Sequence, residues 1–90
     1  MTRYRKKPVV IDAIRYQPGE NCREVWDFLG WDWADHDGPC APDDTLGIDT
    51  PEGIMTARPG DWIIRGVAGE RYPCKDAIFR ETYEPAGGDQ

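Results

Sequence analysis

Residues 57–84 have the sequence ARPGDWIIRGVAGERYPCKDAIFRETYE, and the rest of the fold can be built outward from them. The stretch opens with an Arg-Pro-Gly-Asp turn at 58–61, in which proline occupies the second position that tight turns favour. Apolar and β-branched residues then predict a strand at 61–65, and a Gly-Val-Ala-Gly turn leads to a second strand at 70–74. Residues 75–82 predict a short amphipathic helix, because two apolar residues are flanked by polar ones.

Two elements are predicted before this stretch. Residues 8–16 place apolar side chains on both faces of an extended chain, which is typical of a well-covered strand. A helix is expected at about 21–29, since Asn21 and Glu24 have the spacing of a capping box and Gly30 can end the helix in a left-handed conformation. Its apolar stripe follows helical spacing, with Phe28 widening it, and consists of Cys22, Val25, Trp26 and Leu29.

The remaining segments complete a single small domain. Residues 31–44 form a long polar loop, of the kind that is usually functional or partly disordered. A turn at 50–53 joins two antiparallel strands, and residues 83–85 can return as an edge strand that tolerates proline. The fold class is therefore α+β: a small twisted antiparallel sheet or partial barrel, with one amphipathic helix and one short C-terminal helix. We expect one domain over residues 1–86 and a flexible tail at 87–90.

Composition excludes several classes of protein. A chain of 90 residues, 39 % of them hydrophobic, suffices for one modest core. No apolar run approaches the roughly 20 residues of a membrane helix, and the N-terminal segment lacks the apolar region of a signal peptide, so a cytoplasmic location is expected. The cysteines are too few and too widely spaced for a disulfide scaffold, and we expect reduced thiols at Cys22, Cys40 and Cys74.

Charge is distributed unevenly along the chain. The net charge is −6, and residues 20–53 carry ten acidic side chains and one basic side chain. This acidity argues against non-specific nucleic-acid binding, which depends on neutralising phosphates. It leaves open a local site for a small anion, and it leaves open an acidic surface that engages a basic protein.

No catalytic or metal-binding motif stands out. No metal and no other cofactor are expected, since the potential zinc ligands lack paired spacing. These potential ligands are Cys22, His36, Cys40 and Cys74. Cys74 is a weak candidate for a catalytic residue, because it adjoins Lys75 at the start of a predicted helix, and both features lower the pKa of a thiol. A small buried residue at a strand end is the preferred interpretation of Cys74.

A group of cations and aromatics in one hairpin is a stronger candidate for a site. Guanidinium groups bind phosphates and carboxylates in bidentate fashion, and aromatic rings stack on bases. If the strand is regular, Arg65 points outward while Trp62 packs in the core. The predicted ligand site consists of Arg65, Arg71, Tyr72 and Lys75. The alternative is a solvated strand face with Arg–Glu pairs.

The acidic loop with its tryptophans is a second candidate surface. It is predicted to contact a partner protein through Trp31, Trp33, Asp35, Asp37, Asp43 and Asp44. Exposed sheet edges and four tryptophans also favour a homodimer, with Trp31 and Trp33 as the contacts. The alternatives are that the acidic residues only confer solubility and that the tryptophans fold back over the first helix.

Three segments together resemble a known group of proteins: KKPVVIDAIRY (6–16), GIMTARPGDWIIRGVAGERYPC (53–74) and IFRETYEP (78–85). They are similar to a family of small uncharacterised proteins encoded by bacteriophages and prophages, whose shared block is PGDWIIxGVxGExYPC. The resemblance covers most of the chain and departs from it at residues 31–46 and 75–77.

The resemblance implies a phage accessory product that acts in the cytoplasm of a bacterial host, and it supplies no catalytic residues. The expected function is a non-catalytic binding module that targets a host protein or a small anionic ligand such as a nucleotide, with host takeover or anti-defence as its role. The alternatives are a virion-associated structural protein and a small enzyme that uses Cys74.

Overall fold

The computed structural model describes residues 2–3, 10–33 and 40–85. Within these residues the chain forms five strands and two helices, which confirms the α+β class. In chain order they are β1 (Asp12–Arg15), α1 (Cys22–Leu29), β2 (Leu46–Thr50), β3 (Gly53–Ala57), β4 (Trp62–Arg65), β5 (Arg71–Cys74) and α2 (Asp76–Thr82).

The strands form two small antiparallel sheets. One sheet has the order β1-β4-β5, and the other is the β2–β3 hairpin. The described residues contain no closed barrel. The predicted strand at 8–16 pairs only over β1, and its residues 8 and 9 lie outside the described residues. The predicted edge strand at 83–85 is wrong, since these residues follow α2 without forming a strand.

Two predicted turns are confirmed. In the turn at 58–61, the Asp61 amide donates to the Arg58 carbonyl at 2.9 Å, and Gly60 has a φ of 91°. The Asp61 carboxylate also accepts the Arg58 amide at 2.9 Å, which fixes the turn from its side chain. The β2–β3 hairpin turns at Gly53, whose φ of 108° lies in the left-handed region that favours glycine.

Helix α1 ends as predicted but begins differently. Gly30 closes it with a φ of 77° in the left-handed conformation. The Asn21 side chain makes no capping hydrogen bond to the helix. Instead, its amide nitrogen donates to the Arg15 carbonyl at 2.7 Å and its oxygen accepts the Gln17 amide at 2.9 Å. The capping-box prediction is therefore wrong, because Asn21 ties the β1–α1 connection to the end of β1.

The core lies between α1, the β2–β3 hairpin and one face of the three-stranded sheet. Its buried residues are Tyr16, Cys22, Val25, Leu29, Leu46, Ile48, Ala57 and Ile63. Side chains alternate along β4, so Ile63 faces this core and Ile64 faces the other side. On that other side Trp62 stacks on Phe79 of α2. We call the side that bears Ile63 the α1 face, and the side that bears Trp62 and Ile64 the α2 face.

A disulfide links Cys22 to Cys40, with the two Cα atoms 6.4 Å apart. The expectation of three reduced thiols is therefore wrong for this pair, and Cys74 is the free cysteine. The sequence hid the pair because 18 positions separate the two residues and no motif connects them. The bond joins the first turn of α1 to the segment that leads into β2.

Candidate functional site

Sheet register separates the residues that were predicted to bind a ligand. Arg65 lies opposite Asp12 on β1 and opposite Arg71 on β5, so these three residues share the α1 face. Tyr72 lies opposite Ile64 and belongs to the α2 face. The structure does not gather the predicted set into one site.

Arg65 is engaged by the protein itself. One guanidinium nitrogen donates to the Phe28 carbonyl at 3.1 Å, and another pairs with the Asp12 carboxylate at 3.1 Å. The guanidinium carbon lies 4.5 Å from the centre of the Phe28 ring, a cation–π contact. The prediction that Arg65 points outward while Trp62 enters the core is wrong. Helices cover both faces of the sheet, so strand alternation alone could not identify the outer face.

Arg71 reaches the same end of α1. A Cβ atom built on Gly30 would stand 3.5 Å from an Arg71 guanidinium nitrogen, so the side chain lies against the helix C-cap. The last turn of α1 contains no basic residue of its own. Cations are favourable near a helix C-terminus, where unpaired carbonyls carry partial negative charge. Arg65 and Arg71 therefore supply from the sheet the positive charge that the helix lacks.

The surroundings of Cys74 do not activate its thiol. Burial, and then the charge of Asp61, raise the pKa of Cys74 above its ordinary value, whereas a nucleophilic thiol needs a lowered pKa. The Lys75 ammonium pairs with Asp61 at 3.7 Å. His36, the single histidine of the sequence, lies outside the described residues. The geometry thus favours the interpretation of Cys74 as a packing residue at the end of β5.

Aromatic side chains organise the α2 face. The rings of Trp62 and Phe79 stack with their centres 4.1 Å apart, and Phe79 also contacts Tyr83 at 5.2 Å. The Trp62 indole donates to the Asp76 carboxylate at 2.8 Å. This hydrogen bond, followed by one from Arg80, lowers the pKa of Asp76. Burial and the neighbouring Tyr83 hydroxyl raise the pKa of Tyr72 to about 12.

A groove of about 570 Å³ runs along this face between β1 and α2. This volume falls within the range of ligand sites, which are concave and mostly apolar. Its lining among the described residues consists of Val10, Ile11, Ala13, Trp62, Phe79, Arg80, Tyr83, Glu84 and Pro85. We call this feature the α2 groove. Among these described residues Arg80 is the one cation, and its Nε atom donates to the Asp76 carboxylate at 3.0 Å.

The tryptophans of the predicted partner surface fold back on α1. Trp31 and Trp33 each meet Trp26 edge-to-face, with ring centres 5.2 and 5.7 Å apart. Both are half-buried against the core, which agrees with the alternative prediction that the tryptophans fold back over the first helix. Asp44 is also structural, because its carboxylate accepts the Ala41 amide at 2.8 Å and its carbonyl accepts the Tyr16 hydroxyl at 3.1 Å.

The other acidic residues of the predicted partner surface are Asp35, Asp37 and Asp43. Asp43 is exposed, whereas Asp35 and Asp37 lie outside the described residues. Within the described part of the chain, no group of three or more His, Cys, Asp or Glu side chains could hold a metal ion. Neither α1 nor α2 has the length and hydrophobicity of a membrane-spanning helix.

The sequence interpretation missed the α2 groove. Phe79 and Tyr83 are four residues apart, a spacing that places them on one helix face, but the predicted helix ends at 82 and the predicted edge strand contains Tyr83. Val10 and Ile11 belong to the segment 8–16, for which the sequence predicts a well-covered strand. The available signal was the apolar character of both faces of the first strand, which requires something to cover the second face.

Comparison of the chain with protein-family models, with curated proteins and with solved structures finds no match. The resemblance to phage proteins therefore stays a prediction.

Proposed function

We propose that the protein is a bacteriophage accessory protein that acts by binding and not by catalysis, and that it holds an apolar segment of a bacterial host protein in the α2 groove. The observation that carries this proposal is the groove itself, a concave surface of aromatic and aliphatic side chains on a small domain. Burial of apolar surface is the main favourable term in most protein association.

The charges around the groove favour an apolar partner segment over an anion. Within the described lining, Arg80 is paired with Asp76, and the other charged residue, Glu84, is itself anionic. Val10, at the rim, is 74 % exposed and presents apolar surface to a partner. An uncharged segment with bulky apolar side chains is the occupant that fits this lining.

A matched pair of valines tests the assignment. Val10 in the groove and Val67 in the β4–β5 turn are exposed to 74 and 75 %. Wild type and the variants Val10→Glu and Val67→Glu would each be used to capture proteins from host lysate. The partner would then be identified by mass spectrometry and titrated in purified form. We expect Val10→Glu to weaken binding by at least about tenfold and Val67→Glu to leave it unchanged. Equal binding by all three proteins would contradict the role of the groove.

The small anionic ligand, such as a nucleotide, has less support. Arg65 and Lys75 pair with carboxylates, Arg71 lies against the end of α1, and Tyr72 is on the opposite face. Calorimetric titration with mono-, di- and cyclic nucleotides should therefore give no binding heat. Heat that disappears in Arg71→Gln would favour this alternative, because Arg71 contributes no ion pair among the described residues.

The proposed site of action is the cytoplasm of the bacterial host. Disulfides are rare there because the thiol pool keeps cysteines reduced. The state of Cys22 and Cys40 in infected cells therefore tests the compartment. Because Cys22 is buried, infected cells would be quenched in acid and the protein alkylated under denaturing conditions. Both thiols should be labelled if the protein is cytoplasmic, and protection of both would contradict that location.

A further inference from the structure

Strand β3 has an unpaired edge with unusual properties. It pairs with β2 on one side, and no other described strand pairs with its second edge. Its residues 53–56 are all exposed, Ile54 to 76 % and Met55 to 41 %. The five residues of β3 carry no charge. Natural proteins usually protect such edges with charges, proline or a bulge, since an open apolar edge is a template for pairing.

Opposite charges flank this uncharged edge at equal distances from its centre. Met55 is the middle residue of β3, Glu52 precedes it by three positions, and Arg58 follows it by three. Both charged side chains are exposed, and neither forms an ion pair within the described residues. Their backbone amides are already used, by Thr50 Oγ1 and by the Asp61 carboxylate. The backbone groups of β3 that remain free to pair with another strand therefore lie between Glu52 and Arg58.

This arrangement is complementary to itself. If two β3 strands pair antiparallel about a two-fold axis at Met55, then residue 54 faces residue 56 and residue 53 faces residue 57 of the second copy. In the same register Glu52 faces Arg58 of the second copy, and the symmetry produces this pair twice. Opposite charges across neighbouring strands stabilise pairing, and like charges destabilise it.

We propose that the protein forms a symmetric homodimer through the free edge of β3, with Met55 on the two-fold axis. The β2–β3 hairpin, a ribbon of two strands, becomes part of a four-stranded sheet, β2-β3-β3-β2, of the kind that has independent stability. The two Met55 side chains meet on the side of the ribbon that bears Ile48 and Ala57. This surface includes neither the α2 groove nor Trp31 and Trp33, the dimer contacts that the sequence predicted.

Charge reversal tests both the dimer and its register. Glu52→Arg places arginine opposite arginine, and Arg58→Glu places glutamate opposite glutamate, each of them twice in the dimer. We expect wild type to sediment as a dimer and each single variant to dissociate with a Kd at least about tenfold higher. A wild type that stays monomeric at the highest soluble concentration would overturn the proposal.

Mixing the two variants distinguishes this register from any other interface. In a heterodimer of Glu52→Arg with Arg58→Glu, both facing pairs are again opposite in charge. An equimolar mixture should therefore regain wild-type affinity, as should the double variant with both changes in one chain. If the mixture dissociates as readily as either variant alone, the two residues do not face each other and the register is wrong.

Cysteine cross-linking locates the axis independently. In a Cys74→Ala background, Met55→Cys places two thiols directly opposite, within the distance that a disulfide spans. The matched control Ile54→Cys places its two thiols diagonally, about 7–8 Å apart between Cα atoms. Mild oxidation should cross-link the first variant rapidly and the second slowly. Equal rates would overturn the position of the axis at Met55.

Discussion

The two faces of the β1-β4-β5 sheet are covered by helices that are held in different ways. Helix α1 buries Cys22, Val25 and Leu29 in the core, and a disulfide anchors its first turn. Helix α2 has no buried residue and is held by the Trp62–Phe79 stack and by the hydrogen bond from Trp62 to Asp76.

This difference in attachment indicates that one face of the sheet provides stability and the other can adapt. Apolar burial on the α1 face is non-directional and is lost only when the core opens. On the α2 face a few directed contacts hold a helix of seven residues, so local opening costs less than global unfolding. We infer that the α1 face maintains the fold, while the α2 face can adjust around a ligand in the α2 groove.

The largest effect is expected from a cavity on the α1 face. Leu29 is 1 % exposed, and Leu29→Ala should lower the free energy of unfolding by about 3–4 kcal/mol through lost burial and the cavity left behind. Urea denaturation followed by circular dichroism measures this change. The matched control is Ile78→Ala on α2, an exposed position that should shift stability by no more than about 0.5 kcal/mol. Similar losses at both positions would contradict the comparison.

Reduction of the disulfide should come next. Opening a bond between residues 18 positions apart restores chain entropy to the unfolded state, and we expect a loss of about 3 kcal/mol. Denaturation with and without reductant measures it. A Cys22→Ala, Cys40→Ala double variant is the control, since its stability should not respond to reductant. If the stability of the double variant also fell in reductant, the loss in wild type would not come from the disulfide.

A smaller loss is expected on the α2 face. Phe79→Ala removes a half-buried ring and its stack with Trp62, and we expect about 2 kcal/mol. The fluorescence of Trp62 is obtained as the difference between wild type and Trp62→Phe, because Trp26, Trp31 and Trp33 also emit. Since α2 is attached by few contacts, this difference should change before the circular dichroism of the rest of the fold. A single coincident transition for both probes would show that the α2 face unfolds with the core.

The smallest effect concerns the charge of Asp76, and it depends on pH. The pKa of Asp76 is lowered in the folded protein, so the ionised carboxylate stabilises the fold. This contribution is fully present above the ordinary carboxyl pKa of about 4 and is lost as pH falls through the lower folded value. Wild type should therefore have a higher Tm than Asp76→Asn at neutral pH, and the difference should disappear in acid. A constant difference across that range would contradict the role of the charge.

Local sequence signals predicted the elements well. Turn residues such as Pro59 and Gly53 and the left-handed Gly30 act within a few positions, so their outcome follows from the neighbouring chain. The candidate site was harder to predict, because it depends on which face of each strand another element of the fold covers. Arg65 could not be interpreted from its own segment, because its partners Phe28 and Asp12 are 37 and 53 positions away. The Cys22–Cys40 bond was missed for the same reason.

The contacts of Arg65 and Arg71 with the end of α1 have a consequence for the order of folding. A helix of eight residues is too short to be stable alone in water, and the cations that support its C-terminus come from strands that are synthesised later. We therefore expect α1 to form after the β4–β5 hairpin has left the ribosome. Helix α1 would then be a late product of folding, and mutations within it should accelerate unfolding more than they slow folding.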